Sequence, residues 1–163
     1  LCYTNKSGAP RIASWHISSA EDVYKNYITY SYETTNLNIR PTVITYGTNR
    51  NVSRGITNTM TFGYRSLGDR AQPFTVEDRR GNADVVLTDI TTATNGVTYR
   101  RYILTYDEAS DKGNVQFSRL VQIDECDRYG QRLSPIKMDW NFTGNMSVSG
   151  QSLGVPVKTV QTM

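Results

Sequence analysis

Polar and apolar residues alternate with a period of two in four stretches of the chain. In "NYITYSYE", Ile28, Tyr30 and Tyr32 fall on one side and Thr29, Ser31 and Glu33 on the other. "NTMTFGYRS" sets Met60, Phe62 and Tyr64 together, and "RRYILTYD" does so for Tyr102, Leu104 and Tyr106. "IKMDWNF" aligns Ile136, Met138, Trp140 and Phe142. Such a period marks strands with one apolar and one wet face. Further strands are expected at "RIASWHIS", at "TVITYG" after Pro41, and at "ADVVLTDITT", whose apolar residues fall on both faces and predict cover on both sides.

Turn-forming clusters separate these stretches: "TNLN", "GTNRN", "RRGN", "TNGV", "SDKGN" and "RYGQR". Asn95-Gly96 and Tyr129-Gly130 fall where tight reversals between neighbouring strands fit. One helical turn is expected in "SSAEDVYKN", capped by Ser18 or Ser19 and ending near Lys25. The predicted fold is all-β and antiparallel. Its expected core holds Trp15, Tyr30, Tyr32, Leu104, Tyr106, Leu120, Ile123 and Trp140.

Composition agrees with sheet. A length of 163 residues fits one domain, and the aromatic content is eleven Tyr against four Phe and two Trp. The formal net charge is +3, but the basic residues are scattered among Asp and Glu. Only Arg79-Arg80 and Arg100-Arg101 are adjacent pairs, so no basic stripe for nucleic acid is expected. No stretch reaches the ~18 apolar residues of a membrane-spanning helix, and none has the pattern of a signal peptide. The chain opens on Leu1 rather than Met, and its localisation is not directly legible. Cys2 and Cys126 are far apart and outside any C-x-x-C pair, which argues against zinc and makes two separate thiols at least as good a reading as one disulfide.

Catalytic chemistry is thinly represented. The one histidine, His16 in "ASWHIS", has no nucleophile signature near it and reads as a strand histidine. Two carboxylate-rich stretches stand out: Asp107, Glu108, Asp111 and Asn114, then Glu77, Asp78, Asn82 and Asp84. Neither has the alternating oxygen-ligand spacing of a calcium loop, and a basic residue interrupts each. Polar turn is the better reading of both, with a weak calcium site at residues 107–114 left open. Gly150 and Gly154 lack the lysine and following helix of a phosphate loop. Tyr24, Tyr27, Tyr30 and Tyr32 invite comparison with a sugar-stacking platform, yet the alternation of Tyr30 and Tyr32 with polar residues points them inward. No catalytic residue, metal ligand or cofactor is assigned.

The order of these pieces resembles a known family. "YILTYD" followed by "FSRLVQIDECDRYGQRLSPIKMDWN" is similar to the strands that close the SpvB-type domain of bacterial toxin-complex B subunits and related secreted proteins with Rhs or YD-type repeats. "SWHISSAEDVYKNYITYSYE" resembles the family's Trp-led segment ending in Gly-Asn-x-Ile-x-Tyr-x-Tyr, with Tyr24-Lys25 standing where the family usually has the glycine. "PTVITYG" and "NTMTFGYRSLGD" resemble later strands. The likeness covers roughly residues 12–141. It implies a curved antiparallel sheet, or a sandwich-like fragment of a β-shell, with the domain at 11–143; residues 1–10 are expected to be loose, and 144–163, rich in Ser, Gly and Thr, to be a linker or edge strand. It further implies a non-enzymatic wall element of a secreted or cell-surface bacterial protein, partnered by the rest of its polypeptide or a toxin-complex subunit around a cargo. A carbohydrate-binding β-sandwich is the alternative.

Overall fold

A computed structural model describes residues 2–4, 7–35, 37–52, 55–76, 79–107, 118–140 and 146–150. The strands are β1 (Cys2–Thr4), β2 (Pro10–Ile12), β3 (Ser19–Glu21), β4 (Asn26–Thr35), β5 (Asn38–Asn49), β6 (Asn58–Ser66), β7 (Gln72–Val76), β8 (Arg79–Ala83), β9 (Val85–Thr94), β10 (Val97–Asp107), β11 (Arg119–Cys126), β12 (Ile136–Trp140) and β13 (Met146–Gly150). A 3-10 turn spans Gly68–Arg70. The fold is all-β, as the alternation predicts.

Nine strands form one antiparallel sheet in the order β13, β12, β11, β10, β9, β6, β5, β4, β3. Each lies beside its sequence neighbour except where the β7–β8 hairpin leaves the sheet between β6 and β9. The Leu67 N–H donates to the Asp84 carbonyl at 2.8 Å and closes the base of that excursion. The sheet is open: β3 and β13 each have one neighbour within it. β1 pairs with β2 as a separate two-stranded hairpin. Arg79 Nε reaches the Thr4 carbonyl at 2.7 Å and ties this hairpin to β8.

Local chemistry accounts for the reversals. Between β9 and β10, Asn95 (φ 48°) and Gly96 (φ 80°) make the two-residue turn whose left-handed positions match strand twist. After β11, Asp127 Oδ1 accepts the N–H groups of Tyr129 and Gln131 at 2.8 and 2.9 Å, and Gly130 has φ 81°. The β3–β4 turn repeats this geometry: Asp22 Oδ1 accepts from the N–H groups of Tyr24 and Asn26, both at 2.9 Å, and Lys25 has φ 71°.

The helical turn expected in "SSAEDVYKN" is therefore absent; its residues form β3 and this turn. The serine-to-acid spacing suits a helix cap, but the Asp22 carboxylate satisfies the turn's N–H groups and returns the chain to the sheet. Lys25 occupies a conformation that costs an L-residue about 1–2 kcal/mol, only partly offset by glycine's greater entropy loss on ordering. Lys25→Gly is accordingly expected to stabilise the chain by about 0.5–1 kcal/mol, read as a raised urea midpoint with unchanged slope.

The expected strand "RIASWHIS" is paired only at Arg11 and Ile12, the end of β2, and residues 13–18 carry no strand. The expected core also needs correction. Trp15 is 84% exposed and Trp140 43%, while Tyr30, Tyr32, Leu104, Tyr106, Leu120 and Ile123 are half-buried. The β9 stretch, expected to be covered on both sides, is half-buried rather than fully buried along most of its length. Among the described residues, only Gly81, Asp124 and Cys126 are buried. Alternation identifies the apolar side of a strand, but a core also needs a second layer, which the nine-stranded sheet lacks among those residues.

Trp140 still donates from Nε1 to the Leu120 carbonyl at 2.7 Å. With its ring part exposed, Trp140→Ala is expected to cost about 1–2 kcal/mol in a thermal or urea melt, less than the 3–5 kcal/mol of a buried tryptophan.

Candidate functional site

Antiparallel pairing puts directly opposed residues on the same face, so the register maps a continuous surface. Tyr30, Ile44, Met60, Thr92 and Arg100 form one row across β4, β5, β6, β9 and β10. Phe62, Ile90, Tyr102 and Glu125 form the next, and Leu104, Ile123 and Ile136 a third that reaches β12. Strand periodicity adds Ile28 and Tyr32 on β4, Tyr64 on β6, and Met138 and Trp140 on β12. The alternating stretches seen in the sequence thus share one broad apolar and aromatic face. One ion pair, Arg100 with Glu125, interrupts it.

The opposite face is polar. Ser31, Val43, Thr61, Thr91, Arg101 and Cys126 form one of its rows, and Gly63, Asp89, Ile103 and Asp124 another. Gly63 leaves room for the Asp89 carboxylate: a Cβ there would lie 2.8 Å from Asp89 Cγ. Arg101 Nε sits 3.4 Å from that carboxylate. Asp124, 3% exposed, accepts from Gln122 Nε2 at 2.9 Å to each oxygen and lies 3.6 Å from Arg132. These interactions explain why charged and hydroxyl residues tolerate this side.

At the β3 end, Glu21 receives Arg50 Nε at 2.5 Å and Lys25 Nζ at 3.0 Å. The Arg50 bond, followed by Lys25, holds the Glu21 carboxyl below its ordinary range. Asp22 is also lowered, chiefly by the Asn26 side-chain hydrogen bond. Partial burial pushes the Tyr64 and Tyr106 hydroxyls up. Arg40 and Arg65, 5.5 and 5.8 Å from those ring centroids, counter part of that rise.

His16 is exposed, its ring edge-on to Tyr32 with centroids 5.3 Å apart and its Nε2 2.7 Å from Ser14 Oγ. Asp107 accepts from Arg119 Nη2 at 2.9 Å. Glu77, Asp78, Glu108, Asp111 and Asn114 lie outside the described residues. Among the described residues, no group of three or more His, Cys, Asp or Glu side chains is placed to hold a metal. Tyr30 and Tyr32 share the apolar face with Ile28, whereas Tyr24 lies exposed in the β3–β4 turn and Tyr27 stands under Arg50, 4.8 Å from its centroid. The four tyrosines therefore do not form a platform of their own.

Cys2 is exposed, Cys126 is buried, and both are free thiols. A reducing agent is expected to leave the melting temperature unchanged; a bridge closing so long a loop would contribute about 4–5 kcal/mol, so its reduction would be conspicuous.

The broad apolar face is the surface that these residues jointly build. Sequence reasoning identified its individual strands but did not assign the combined face as a site, because strand pairing decides which faces coincide. No family model matches the chain, and neither a curated protein nor a solved structure matches it.

Proposed function

We propose that this chain is a non-enzymatic structural domain, a segment of β-sheet wall in a secreted or cell-surface bacterial protein of the toxin-complex or Rhs type, where the wall encloses a cargo. The observation that carries the reading is the open nine-stranded sheet whose apolar face is only half-buried, with no second sheet against it among the described residues. A self-contained sandwich would place a second sheet against that face, whereas a wall segment obtains cover from the surrounding polypeptide or its contents.

The family resemblance supports the same reading. "NYITYSYE", "TVITYG", "NTMTFGYRS", "RRYILTYD" and "IKMDW" fall in order on strands of one sheet, Asn141 and Phe142 lying outside the described residues. Lys25 takes a left-handed turn position suited to the glycine expected there.

Cysteines placed at Phe62 and Leu104 in a Cys2→Ser background test this. Thiol-reactive probes are expected to label both rapidly in the 163-residue chain and at least about tenfold more slowly in the full-length polypeptide carrying it, whose electron-microscopy reconstruction should show a hollow shell. Equal labelling in both settings, or a solid full-length particle, overturns the wall reading. Saturable binding to a glycan array that is lost on Tyr102→Ala would favour the carbohydrate-binding alternative.

A further inference from the structure

The outer edge of β4 is paired over only part of its length. β3 opposes it from Tyr27 to Thr29, and one further rung follows, in which the Tyr30 N–H donates to the Ser18 carbonyl at 2.9 Å. Backbone groups facing one side of a strand recur every second residue, so the next on this edge belong to Tyr32 and Thr34. The register shift opposite Ser31 and Tyr32 passes over Thr42 of β5, and β4 keeps its period there. On the outer side, the N–H and C=O groups of Tyr32 and Thr34 have no backbone partner among the described residues.

Residues 14–18 run beside this gap without closing it. The Tyr32 hydroxyl donates to the Ile17 carbonyl at 3.0 Å, and the His16 ring stands edge-on to Tyr32. Both contacts fit the β3 ladder carried onward in the same register, with Ser18 opposite Tyr30, His16 opposite Tyr32 and Ser14 opposite Thr34. The 2.7 Å contact between Ser14 Oγ and His16 Nε2 is a local alternative to that ladder.

We propose that residues 14–18 are a strap that closes onto β4, lengthening β3 from three residues to eight and covering the backbone of Tyr32 and Thr34. This inference does not depend on the wall reading. The strap is tethered to the ladder at Ser18 and already in register, so it reaches this edge at a far higher effective concentration than a strand from another molecule. Closure sets Ser14 and His16 beside Tyr32 on the apolar face, and Trp15 and Ile17 opposite Glu33 and Ser31 on the polar one. Each rung gained orders further residues in exchange for its hydrogen bonds, which keeps the open and closed arrangements close in free energy. The closed strap denies the β4 edge to foreign strands.

Hydrogen exchange of the 163-residue chain in a Cys2→Ser background, read residue by residue by NMR, tests closure. The Tyr32 and Thr34 amides are expected to exchange at least about tenfold more slowly than in an unstructured peptide of the same sequence. His16→Pro removes the N–H that the closed strap donates to Tyr32; it is expected to cut that protection at least about threefold and to leave the β9 and β10 amides unchanged. Crosslinking reads the register independently. Trp15 and Glu33 form a close, non-hydrogen-bonded pair in the closed strap, so Trp15→Cys with Glu33→Cys should join within one chain under mild oxidation at least about tenfold faster than Trp15→Cys with Thr35→Cys. Exchange at both amides as fast as in the peptide overturns the proposal, as does protection insensitive to His16→Pro or equal crosslinking of the two cysteine pairs.

Discussion

Gly47→Ala is expected to destabilise the chain by about 2–4 kcal/mol, lowering the urea midpoint while leaving its slope unchanged. Gly47 lies where the β4–β5 register shifts between Tyr27 and Thr29, so β5 carries an extra residue there. Its φ of 80° suits a bulge glycine and costs an L-residue about 1–2 kcal/mol. The site is also full. A Cβ would lie 2.6 Å from Asn58 Nδ2 and 3.1 Å from the Ile56 carbonyl oxygen, and the second contact is backbone that cannot swing away. Overpacking adds about 1–3 kcal/mol. Gly96→Ala is the matched control: its φ is also 80°, but nothing lies within 4 Å of the added Cβ, so it should show the conformational cost alone. Equal losses at the two glycines would refute the packing contribution.

Arg40→Leu is the second large effect, at about 2–3 kcal/mol of lost stability. The Arg40 side chain is only 11% exposed. Its Nη2 lies 3.1 Å from Glu33 and 3.4 Å from Thr35 Oγ1, its Nη1 lies 3.8 Å from Asp84, and its guanidinium stands over the Tyr64 ring. Tyr64 in turn donates its hydroxyl to the Pro41 carbonyl at 2.8 Å. Arg40 therefore links β4, β5 and β6 to the base of the β7–β8 excursion. Removing one partner of a buried pair costs about 3–5 kcal/mol, but Glu33 is largely exposed and its share shrinks accordingly. A double-mutant cycle should find coupling below about 1 kcal/mol with Glu33→Gln and a larger value with Asp84→Asn. The opposite order would show that the partly buried Asp84 contact contributes less than the exposed pair.

Much of this sheet is legible in the chain because alternation survives pairing. Ile28, Tyr30 and Tyr32, Met60, Phe62 and Tyr64, and Tyr102, Leu104 and Tyr106 each mark one side of a strand. Asn95-Gly96 and Gly130 supply the left-handed turn positions the reversals need. Burial is less legible: exposed Trp15 and half-buried Leu104 carry the same apolar signal as core residues, since a strand's pattern contains no information about what stands opposite its face. The β3–β4 turn was obscured for a different reason, because Ser18 and Ser19 suit a helix cap while the Asp22 carboxylate, three or four residues on, closes a hairpin instead. The candidate surface was hidden in the register, which residues such as Ile44, Met60 and Ile90 acquire only through their partners.

The meander has a kinetic consequence. Since each strand of the large sheet pairs with a sequence neighbour, apart from the span across the β7–β8 hairpin, little chain must be closed to gain the next ladder. Loop-closure entropy grows only slowly even across that hairpin. The sheet is thus suited to grow strand by strand as the chain emerges during synthesis, each completed hairpin presenting a backbone template to the next segment before distant sequence exists. Nearest-neighbour pairing also confines the loss of a terminal strand mainly to its adjoining ladder, so opening can begin at an end without requiring the middle to unfold.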